Sequence, residues 1–529
     1  MFRKKIYKWH RTSSLIIAIP VFLWAVSGFM HPIMTNIRPK VSTQGIIPTP
    51  IDSTKILVPL QEALKQNKID SIAHFRIIHI DTNYFYQVQR KTDETPIYFG
   101  TKNGKFLPNG DWLYAQYLAR IFLEGPAKNT EVKSSTIMAM QMPASANHDC
   151  CDAAADIVLN PLKGSKISSA SLITSFNNEY KSINKLLPVY KIAFERSDGI
   201  RIYVETAQDR FAFAMDNKRF VFDRIFTLIH TWGWLDFLGK GKIIIEFLLV
   251  SLAFLTTIMG LYIFFTTKSK KAVGNKTVKA RRSHRFSAVA ISLFALMFTF
   301  SGAYHAFTKL VSGTNNQSAI NNHFSTNTIN FNFNELAHLI NKPILNISLV
   351  QINNHSFWQI NIQNKLNTQN KSKDLMKDAQ ATAPSTIYIN TKTLAILPGG
   401  ELKYANYLAT QFSGHAEKEI IKTELITQFT NEYNFTDKRL PVWKISYSSN
   451  SNERWYVETS TGELSKRIND KELIEGYSFA FFHKHEFMGW GGKSVKDFST
   501  MFWAMAQIVM VAIGLILYFK TRKRRGINN

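Results

Sequence analysis

Four apolar stretches, each long enough to cross a bilayer, alternate with two long polar segments along the chain. The apolar stretches cover about 13–34, 242–265, 286–308 and 498–519. A helix needs about 20 apolar residues to span the hydrocarbon core, so each stretch predicts one membrane-spanning helix. In the polar segments, YKIAF and RIYVET alternate apolar and polar positions, as half-buried strands do. The pattern therefore predicts four membrane helices and two polar domains outside the membrane.

The basic residues indicate the orientation of these helices. Segments 1–11, 266–285 and 520–529 carry 18 Lys or Arg and no Asp or Glu. By the positive-inside rule, both ends and the middle loop face the cytoplasm, and both polar domains lie outside. Most of the net charge of +26 is this topological signal, and it does not indicate nucleic-acid binding. The first stretch is too long for a signal-peptide core, so we expect a retained helix in the lipid bilayer.

The chain is a tandem repeat. WHRTSSLIIAIPVFLWAVSGFMHPI (9–33) corresponds to SHRFSAVAISLFALMFTFSGAYHAF (283–307). LPVYKIAFERSDGIRIYVETAQDRF (187–211) corresponds to LPVWKISYSSNSNERWYVETSTGEL (440–464). A unit of helix, outer α+β domain, short interfacial helix and second helix thus occurs twice in the same orientation, which predicts a pseudo-two-fold axis along the membrane normal. We also expect short helices at SFNNEYKSI and ITQFTNEYNF.

The predicted fold class is a membrane α-helical core of four helices with two outer α+β domains. The predicted boundaries are 1–36 for the first membrane helix, 37–219 for the first outer domain, 220–267 for an interfacial helix and the second membrane helix, 268–285 for the cytoplasmic loop, 286–309 for the third membrane helix, 310–470 for the second outer domain, 471–520 for an interfacial helix and the fourth membrane helix, and 521–529 for a cytoplasmic tail.

Histidines occupy matching places in the two copies. They are His10 and His31 in the first membrane helix, His284 and His305 in the third, and His230 and His483 in the amphipathic segments before the second and fourth. In both copies 21 residues separate the paired histidines, roughly 32 Å of helix, which is the thickness of the hydrocarbon core. Neutral imidazole at a helix end is suited to axial ligation of haem iron.

These positions predict two or more haem groups, of b type because the chain has no CxxCH motif. His10 and His284 form the candidate inner pair. His31, His230, His305 and His483 are the candidate outer ligands; their pairing stays open, and His485 is an alternative to His483. Arg11 and Arg285 are candidate partners of haem propionates.

A second cluster has no counterpart in the other copy. Within MAMQMPASANHDCCD, six residues have metal-binding or redox side chains: Met138, Met140, Met142, His148, Cys150 and Cys151. Sulfur ligands suit Cu(I), and thiolates suit zinc or redox exchange. A loop whose methionines only pack on the domain is the alternative.

The YKI and YVET motifs, flanked by helices that contain HR and SG and by a later LIH…G, resemble the PepSY-associated transmembrane family. The resemblance implies two periplasmic PepSY-like domains and a haem-containing inner-membrane reductase that passes electrons to ferric siderophores or another metal chelate. The cytoplasmic segments are too short for a flavin or nicotinamide domain, so we expect a separate cytoplasmic or quinone electron donor. Alternatives are a PepSY module that binds peptides or regulates a protease, and a periplasmic cupric reductase.

Overall fold

The computed structural model describes residues 2–93, 95–125, 165–268, 276–311, 320, 322–363, 385–449 and 451–526. The chain divides into two compact units. One, here called the helical unit, consists of 1–38, 218–315 and 469–529, and the other, the sheet unit, consists of 39–217 and 316–468. Helices and strands are numbered below in chain order.

Four long helices build the helical unit: α1 (Phe2–Asn36), α5 (Lys240–Thr266), α6 (Lys276–Val311) and α10 (Gly492–Gly526). Each contains a stretch long and apolar enough to cross a membrane, in agreement with the four predicted membrane helices. Large apolar side chains point outward from the unit; Ile19 is 70% exposed and Phe265 is 76% exposed. Such a surface is typical of helices that face lipid.

The four long helices form a ring. α1 packs against α5 and α10, and α6 packs against the same two helices. The helices that carry the equivalent histidines, α1 and α6, therefore lie diagonally opposite each other. Shorter helices, α4 (Asn217–Ile229) and α9 (Asp470–Ser478), precede α5 and α10 in the chain. A π-helical turn, Phe479–His483, continues α9.

Two helix boundaries differ from the prediction. α6 begins at Lys276, ten residues before the expected start at 286 and inside the predicted loop 268–285. α10 continues to Gly526, into the predicted tail 521–529. The prediction followed apolarity alone, whereas the Lys, Arg and Ala residues at these ends are strong helix formers that extend a helix beyond its apolar part.

In its described residues, the sheet unit combines four short helices with small antiparallel sheets. The helices are α2 (Leu60–Gln66), α3 (Gly110–Glu124), α7 (Phe333–Ile340) and α8 (Gly400–Ser413). The strands of the first half are β1 (Ser71–Ile72), β2 (His74–Ile80), β3 (Asn83–Gln89), β4 (Ile97–Gly100), β5 (Phe106–Leu107), β6 (Ile167–Ile173), β7 (Val189–Phe194), β8 (Arg201–Glu205) and β9 (Arg210–Met215). Those of the second half are β10 (Phe324–Ser325), β11 (Ile344–Ile352), β12 (His355–Ile362), β13 (Ser385–Asn390), β14 (Ile420–Ile426), β15 (Val442–Tyr447), β16 (Arg454–Glu458) and β17 (Glu463–Ile468).

Corresponding strands form corresponding sheets. β2 to β5 form one sheet in sequence order, β6 to β9 a second, β11 to β13 a third and β14 to β17 a fourth, while β1 pairs with β10. The sheets β6 to β9 and β14 to β17, which contain the YKI and YVET motifs, share their irregularities. The register shifts after Ile167 and after Tyr203 recur after Ile420 and Tyr456. The duplication thus preserves local backbone geometry as well as sequence.

The two halves of the sheet unit share a hydrophobic core. Phe75 from the first half has its ring centroid 5.6 Å from that of Phe331 and 6.0 Å from that of Trp358, both from the second half. All three side chains are almost fully buried. α3 packs on β7 and β8, and α8 packs on β15 and β16, in the same way. The halves are therefore expected to fold together rather than separately.

The two expected short helices in the sheet unit are absent from the structure, and this prediction was wrong. SFNNEYKSI consists of bends that end in a 3₁₀ turn, Ser182–Asn184, and ITQFTNEYNF ends in a similar turn, Phe435–Asp437. Asn177 accepts hydrogen bonds from the backbone amides of the next residues, so its side chain stabilises a turn in place of a helix.

The Lys and Tyr residues shared by the two motifs surround a carboxylate. Glu179 accepts hydrogen bonds from the Tyr203 hydroxyl at 2.6 Å and from Arg201 Nε at 2.8 Å, and Lys191 Nζ lies at 3.1 Å. In the second half, the same three distances around Glu432 are 2.6, 3.0 and 3.2 Å, to Tyr456, Arg454 and Lys444. The motif residues shared by the two halves thus stabilise the fold.

One buried ion pair has no counterpart at the equivalent positions of the second half. Arg76 Nη2 lies 2.5 Å from Asp209 Oδ1, and Tyr114 donates a hydrogen bond of 2.6 Å to the same oxygen. Ser348 and Gly462 occupy the corresponding positions of the second half. The Ser348 hydroxyl donates to Gln359 at 2.7 Å, as Arg76 Nε donates to Gln87. At the other position, a β-carbon on Gly462 would lie 2.9 Å from the hydroxyl of Tyr404. Both members of the ion pair thus differ together.

Candidate functional site

Two of the six matched histidines face each other inside the helical unit. The rings of His230 and His483 have centroids 6.3 Å apart and planes inclined by 75°. His230 follows α4, and His483 ends the π-helical turn after α9, so each copy of the repeat contributes one ring. Burial lowers the pKa of His230 to about 4 and that of His483 to about 3. Both imidazoles are therefore neutral near pH 7, the form that binds a metal.

A serine from a long helix holds each of these rings. His230 Nδ1 lies 2.8 Å from Ser27 Oγ, and His483 Nδ1 lies 3.2 Å from Ser301 Oγ. Each serine hydroxyl also lies within hydrogen-bond distance of two carbonyl oxygens of its own helix, which can only accept. When the hydroxyl proton is donated to a carbonyl, Nδ1 of the histidine donates to Oγ, and its Nε2 carries the lone pair.

Phenylalanines connect the facing pair to the two remaining outer histidines. Phe226 lies between His31 and His230, at centroid distances of 5.4 and 4.5 Å. Phe479 lies between His305 and His483 in the same way, at 4.7 and 4.5 Å. Six rings therefore form one continuous row of ring contacts, and the structure brings all four predicted outer histidines together.

The two ends of this row of rings, His305 and His31, differ in their polar neighbours. His305 Nδ1 lies 2.5 Å from a carboxylate oxygen of Glu475, so this ring also donates through Nδ1. The position that corresponds to Glu475 holds Phe222, and His31 lies instead near the charges of Arg219, Lys484 and Lys493 and of Asp497. The central pair is thus symmetric, whereas the flanking histidines lie in different electrostatic surroundings.

His10 and His284 lie at the other ends of α1 and α6. They are near enough for their charges to interact. His10 Nδ1 lies 3.2 Å from the carbonyl oxygen of Thr256 on α5, which makes Nδ1 the donor and leaves Nε2 with the lone pair. His284 Nδ1 is buried without a partner among the described residues. These two rings come from diagonally opposite helices.

A glycine lies against each of these inner rings. Gly260 on α5 faces His10, and a β-carbon there would lie 3.3 Å from Cε1 of the ring. Gly514 on α10 faces His284, with a corresponding distance of 3.6 Å. Glycine lets the helix backbone approach the imidazole closely at both positions.

The predicted arginines have partners of their own. Arg285 Nη2 donates to the carbonyl oxygens of Phe264 at 2.9 Å and Thr267 at 2.6 Å, and so caps the C-terminal end of α5. The guanidinium of Arg11 lies over the ring of Tyr518, 5.2 Å from its centroid. The proposed contact of these arginines with haem propionates stays a prediction.

His485, the alternative to His483, has a separate environment. Its ring is fully buried and stacks on Phe298, with a centroid distance of 5.0 Å. Its Nδ1 lies within hydrogen-bond distance of the Ser499 hydroxyl, at 3.0 Å. Trp232 occupies the equivalent place in the first copy and stacks on Trp24. The structure thus gives His485 the packing position of an aromatic residue, apart from the facing pair.

The geometry of the facing pair fits two axial ligands of one metal. Imidazole binds a first-row metal at about 2 Å, so the centroids of two rings on opposite sides of the metal lie roughly 6 Å apart. His230 and His483 have this centroid separation. Within the described residues, no cluster of three or more His, Cys, Asp or Glu side chains is arranged to hold a metal ion.

Several residues of this site escaped the sequence analysis, although the duplication contains a signal for each. Phe226 and Phe479 are separated by the same 253 positions as His230 and His483. Gly260 lies in MGLYIFF and Gly514 in the related IGLILYF. Ser27 and Ser301 belong to the aligned SG motif, but no hydrogen-bonding role was predicted for them. The Met/Cys cluster, Met138 to Cys151, lies outside the described residues.

Comparison of the chain with protein-family models gives no match, and no curated protein matches it either. The likeness to the PepSY-associated transmembrane family therefore depends on the motifs and their spacing.

Proposed function

We propose that this protein is a membrane oxidoreductase that holds b-type haem at two levels of its helical unit and transfers electrons to a metal chelate. The observation that carries the proposal is the facing pair of His230 and His483, with Nδ1 of each ring held by a serine and Nε2 left as the ligand atom. Metal-ligating histidines typically donate their other ring N–H to a neighbouring acceptor, which fixes the orientation of the ring.

In this proposal His230 and His483 hold the outer haem, and His10 and His284 hold the inner one. Bound haem supplies a one-electron carrier at each level. The protein's own residues orient the ligands: Ser27 and Ser301 set the outer rings, the Thr256 carbonyl sets His10, and Gly260 and Gly514 give the inner rings room. His31 and His305 then flank the outer pair without serving as its ligands.

Topology supports a transmembrane direction for this transfer. The outer histidines lie toward the ends of α1 and α6 from which the chain continues into the sheet unit, and the opposite ends carry the basic residues. We place the basic ends in the cytoplasm and the sheet unit in the periplasm, with the two copies related by a pseudo-two-fold axis. The sheet unit consists of two PepSY-like halves in this proposal.

The substrate class in this proposal is a ferric chelate such as a siderophore. One electron converts Fe(III) to Fe(II), which oxygen-rich chelators hold less tightly, so iron is released. The electron comes from a separate cytoplasmic or quinol donor. Cu(II) is the second candidate substrate, on the basis of the methionines and cysteines between 138 and 151.

The test is an absorbance spectrum of the purified protein in detergent, oxidised and then reduced with dithionite, with haem quantified per chain. We expect a sharp reduced α-band and two b-type haems. His230→Ala and His483→Ala should each remove the same one of two signals, and His10→Ala and His284→Ala the other. His355→Ala, which alters an exposed histidine on β12, is the matched control.

A folded protein without haem, made with adequate haem supply, would disprove the proposal. The pairing alone would be wrong if His31→Ala and His305→Ala removed the outer signal while His230→Ala and His483→Ala left it intact. The substrate is tested by mixing the dithionite-reduced, desalted protein with a ferric hydroxamate chelate or with Cu(II) under nitrogen, and following haem reoxidation together with Fe(II) or Cu(I) capture by a colorimetric chelator.

A further inference from the structure

A groove between α1 and α10 combines cations with aromatic and apolar side chains. It has a volume of about 430 Å³ and is lined by Lys4, Lys8, Arg11, Tyr7, Leu15 and Tyr518, among others. Lys4, Lys8, Arg11 and Leu15 follow one another at helical spacing and so share one face of α1. The cations lie toward the helix end, and Leu15 marks the start of the apolar, membrane-spanning part. The groove therefore joins a basic surface to an apolar one.

The groove depends on a difference between the two copies of the repeat. Arg285 and Arg11 occupy equivalent positions, and each lies over an equivalent ring, that of Phe264 or Tyr518. α5 ends at Thr266, so its terminal carbonyl oxygens accept hydrogen bonds from Arg285. α10 continues to Gly526, so the corresponding carbonyls are used within the helix. Arg11 consequently has no such cap to form, and its guanidinium lines the groove.

In the part of the chain that the structure describes, no carboxylate is positioned to neutralise these cations. The first acidic residue of the sequence is Asp52, and neither 247–285 nor 498–529 contains Asp or Glu. Within the described residues, neither Lys4, Lys8 nor Arg11 forms an ion pair with a carboxylate. Three cations gathered in one groove repel each other, and an anion from outside the chain would remove this repulsion.

We propose that this groove binds a phosphate group, and that its source is an anionic phospholipid whose acyl chains lie along the apolar side of α1 and α10. Lysine and arginine donate to the phosphate oxygens, and a tyrosine at this depth suits the membrane interface. Leu15 at the inner edge of the groove favours an amphiphile over a freely soluble phosphate. No histidine takes part, and the inference assigns Arg11 to a lipid phosphate in place of the haem propionate that the sequence predicted for it.

The experiment compares the full-length protein with two charge-matched variants. Lys8→Gln/Arg11→Gln removes two cations from the groove, and Arg281→Gln/Arg282→Gln removes two from the corresponding end of α6. Each protein in detergent is titrated with dioleoylphosphatidylglycerol or dioleoylphosphatidylcholine, and bound lipid per chain is counted by native mass spectrometry. A further titration uses inorganic phosphate as competitor.

We expect the unchanged protein to retain one phosphatidylglycerol in preference to phosphatidylcholine. The groove variant should bind it at least tenfold more weakly, since each cation near a membrane surface contributes roughly a factor of five to anionic-lipid binding. The α6 variant should behave like the unchanged protein. Displacement of the lipid by millimolar phosphate would support the phosphate site and show that a soluble phosphate can also fill it.

Equal retention of the two lipids, or equal loss of phosphatidylglycerol from both variants, would overturn the proposal, because the cations would then act only through total charge. A thermal unfolding curve of each variant without added lipid separates lost binding from lost folding. Since these side chains are exposed or half-exposed, we expect the curves without lipid to coincide.

Discussion

Gly260 lies directly against the imidazole of His10, so closely that a β-carbon on this glycine would come within 3.3 Å of Cε1 of the ring. The matching glycine of the second copy, Gly514, leaves slightly more room beside His284, at 3.6 Å. Carbon atoms in ordinary van der Waals contact lie about 3.5–4.0 Å apart. The two halves of the inner site therefore differ in their tolerance of a larger residue.

This difference predicts unequal effects of two alanine substitutions. Gly260→Ala forces the ring of His10 to move by a few tenths of an ångström, whereas Gly514→Ala fits beside His284. We expect Gly260→Ala to lower the haem affinity of the proposed inner site about tenfold, and Gly514→Ala to leave this affinity unchanged. Tenfold is the lower end of the loss seen when the residues that support a metal ligand are altered. Absorbance titration of haem into the apo-protein measures both affinities. Equal affinities would show that His10 is not held against α5 when haem is bound.

The serines behind the outer pair predict a second effect. Ser27→Ala and Ser301→Ala remove the acceptor of Nδ1 in His230 and His483, so each ring can rotate and can change its tautomer. We expect about a 10- to 100-fold loss of affinity at the outer site, with the reduction potential of the outer haem shifted and that of the inner haem unchanged. Spectroelectrochemical titration resolves the two.

Ser292→Ala is the matched control for these variants. Ser292 is a buried serine on α6 whose hydroxyl bonds only to the carbonyl oxygen of Val289 in its own helix, as far as the described residues show. A similar shift in this variant would mean that loss of any buried serine in the bundle disturbs the outer site, and the orienting role of Ser27 and Ser301 would be wrong.

The four membrane helices and the matching positions of the histidines could be predicted from the sequence, because the length of an apolar stretch and a repeated spacing are properties of the chain itself. The pairing of His230 with His483 could not be predicted, since these rings approach from separate copies and meet only after the bundle has formed. The anchoring role of Ser27 was equally hidden: its neighbour His230 is 203 positions away. Contacts of this kind depend on tertiary packing and leave no local pattern.

Local patterns also misled at two places. The stretch that contains Glu179 was expected to be helical, yet this residue is held by Tyr203, Arg201 and Lys191 from the adjacent strands. The start of α6 was placed too late because the prediction weighed apolarity and left out the helix propensity of the basic residues that follow Lys276. At Glu179 the contacts that decide the structure come from other strands, and at α6 the helix propensity of the basic residues decides it. Neither is part of a hydrophobic pattern.

Ser348 and Gly462 replace the Arg76–Asp209 ion pair at the equivalent positions of the second half. This replacement predicts that a second substitution restores the stability lost by the first. Arg76→Ser leaves the carboxylate of Asp209 without its guanidinium, which should destabilise the sheet unit by about 3 kcal/mol. Arg76→Ser/Asp209→Gly reproduces Ser348 and Gly462 of the second half and should recover most of that loss, leaving roughly 1 kcal/mol for the hydrogen bond that Tyr114 loses. Urea unfolding of the full-length protein, followed by tryptophan fluorescence, measures the difference. A double variant less stable than the single one would contradict the assignment of equivalent positions.

The carboxylates at the centre of the two motifs predict how the sheet unit responds to acid. Burial alone would raise the pKa of Glu179, but hydrogen bonds from Tyr203, Arg201 and Lys191 outweigh it and lower this pKa. Burial is outweighed at Glu432 in the same way, by the hydrogen bond from Tyr456 and the charges of Lys444 and Arg454. A carboxyl whose folded pKa lies below its ordinary value stabilises the fold fully above that value, near 4.5. This stability is lost as the pH falls through the folded pKa.

Glu179→Gln and Glu432→Gln should therefore each cost about 1–3 kcal/mol at pH 7, because a charged acceptor shared by three donors is replaced by a neutral one. The difference from the unchanged protein should shrink as the pH is lowered below 4.5, since the unchanged carboxyl is then protonated as well. Thermal unfolding of the full-length protein between pH 3 and pH 7 measures this convergence. Glu335→Gln, on the surface of α7, is the control and should run parallel to the unchanged protein at every pH. A loss in Glu179→Gln that stays constant across the range would mean that the carboxylate contributes through packing, with its charge playing no part.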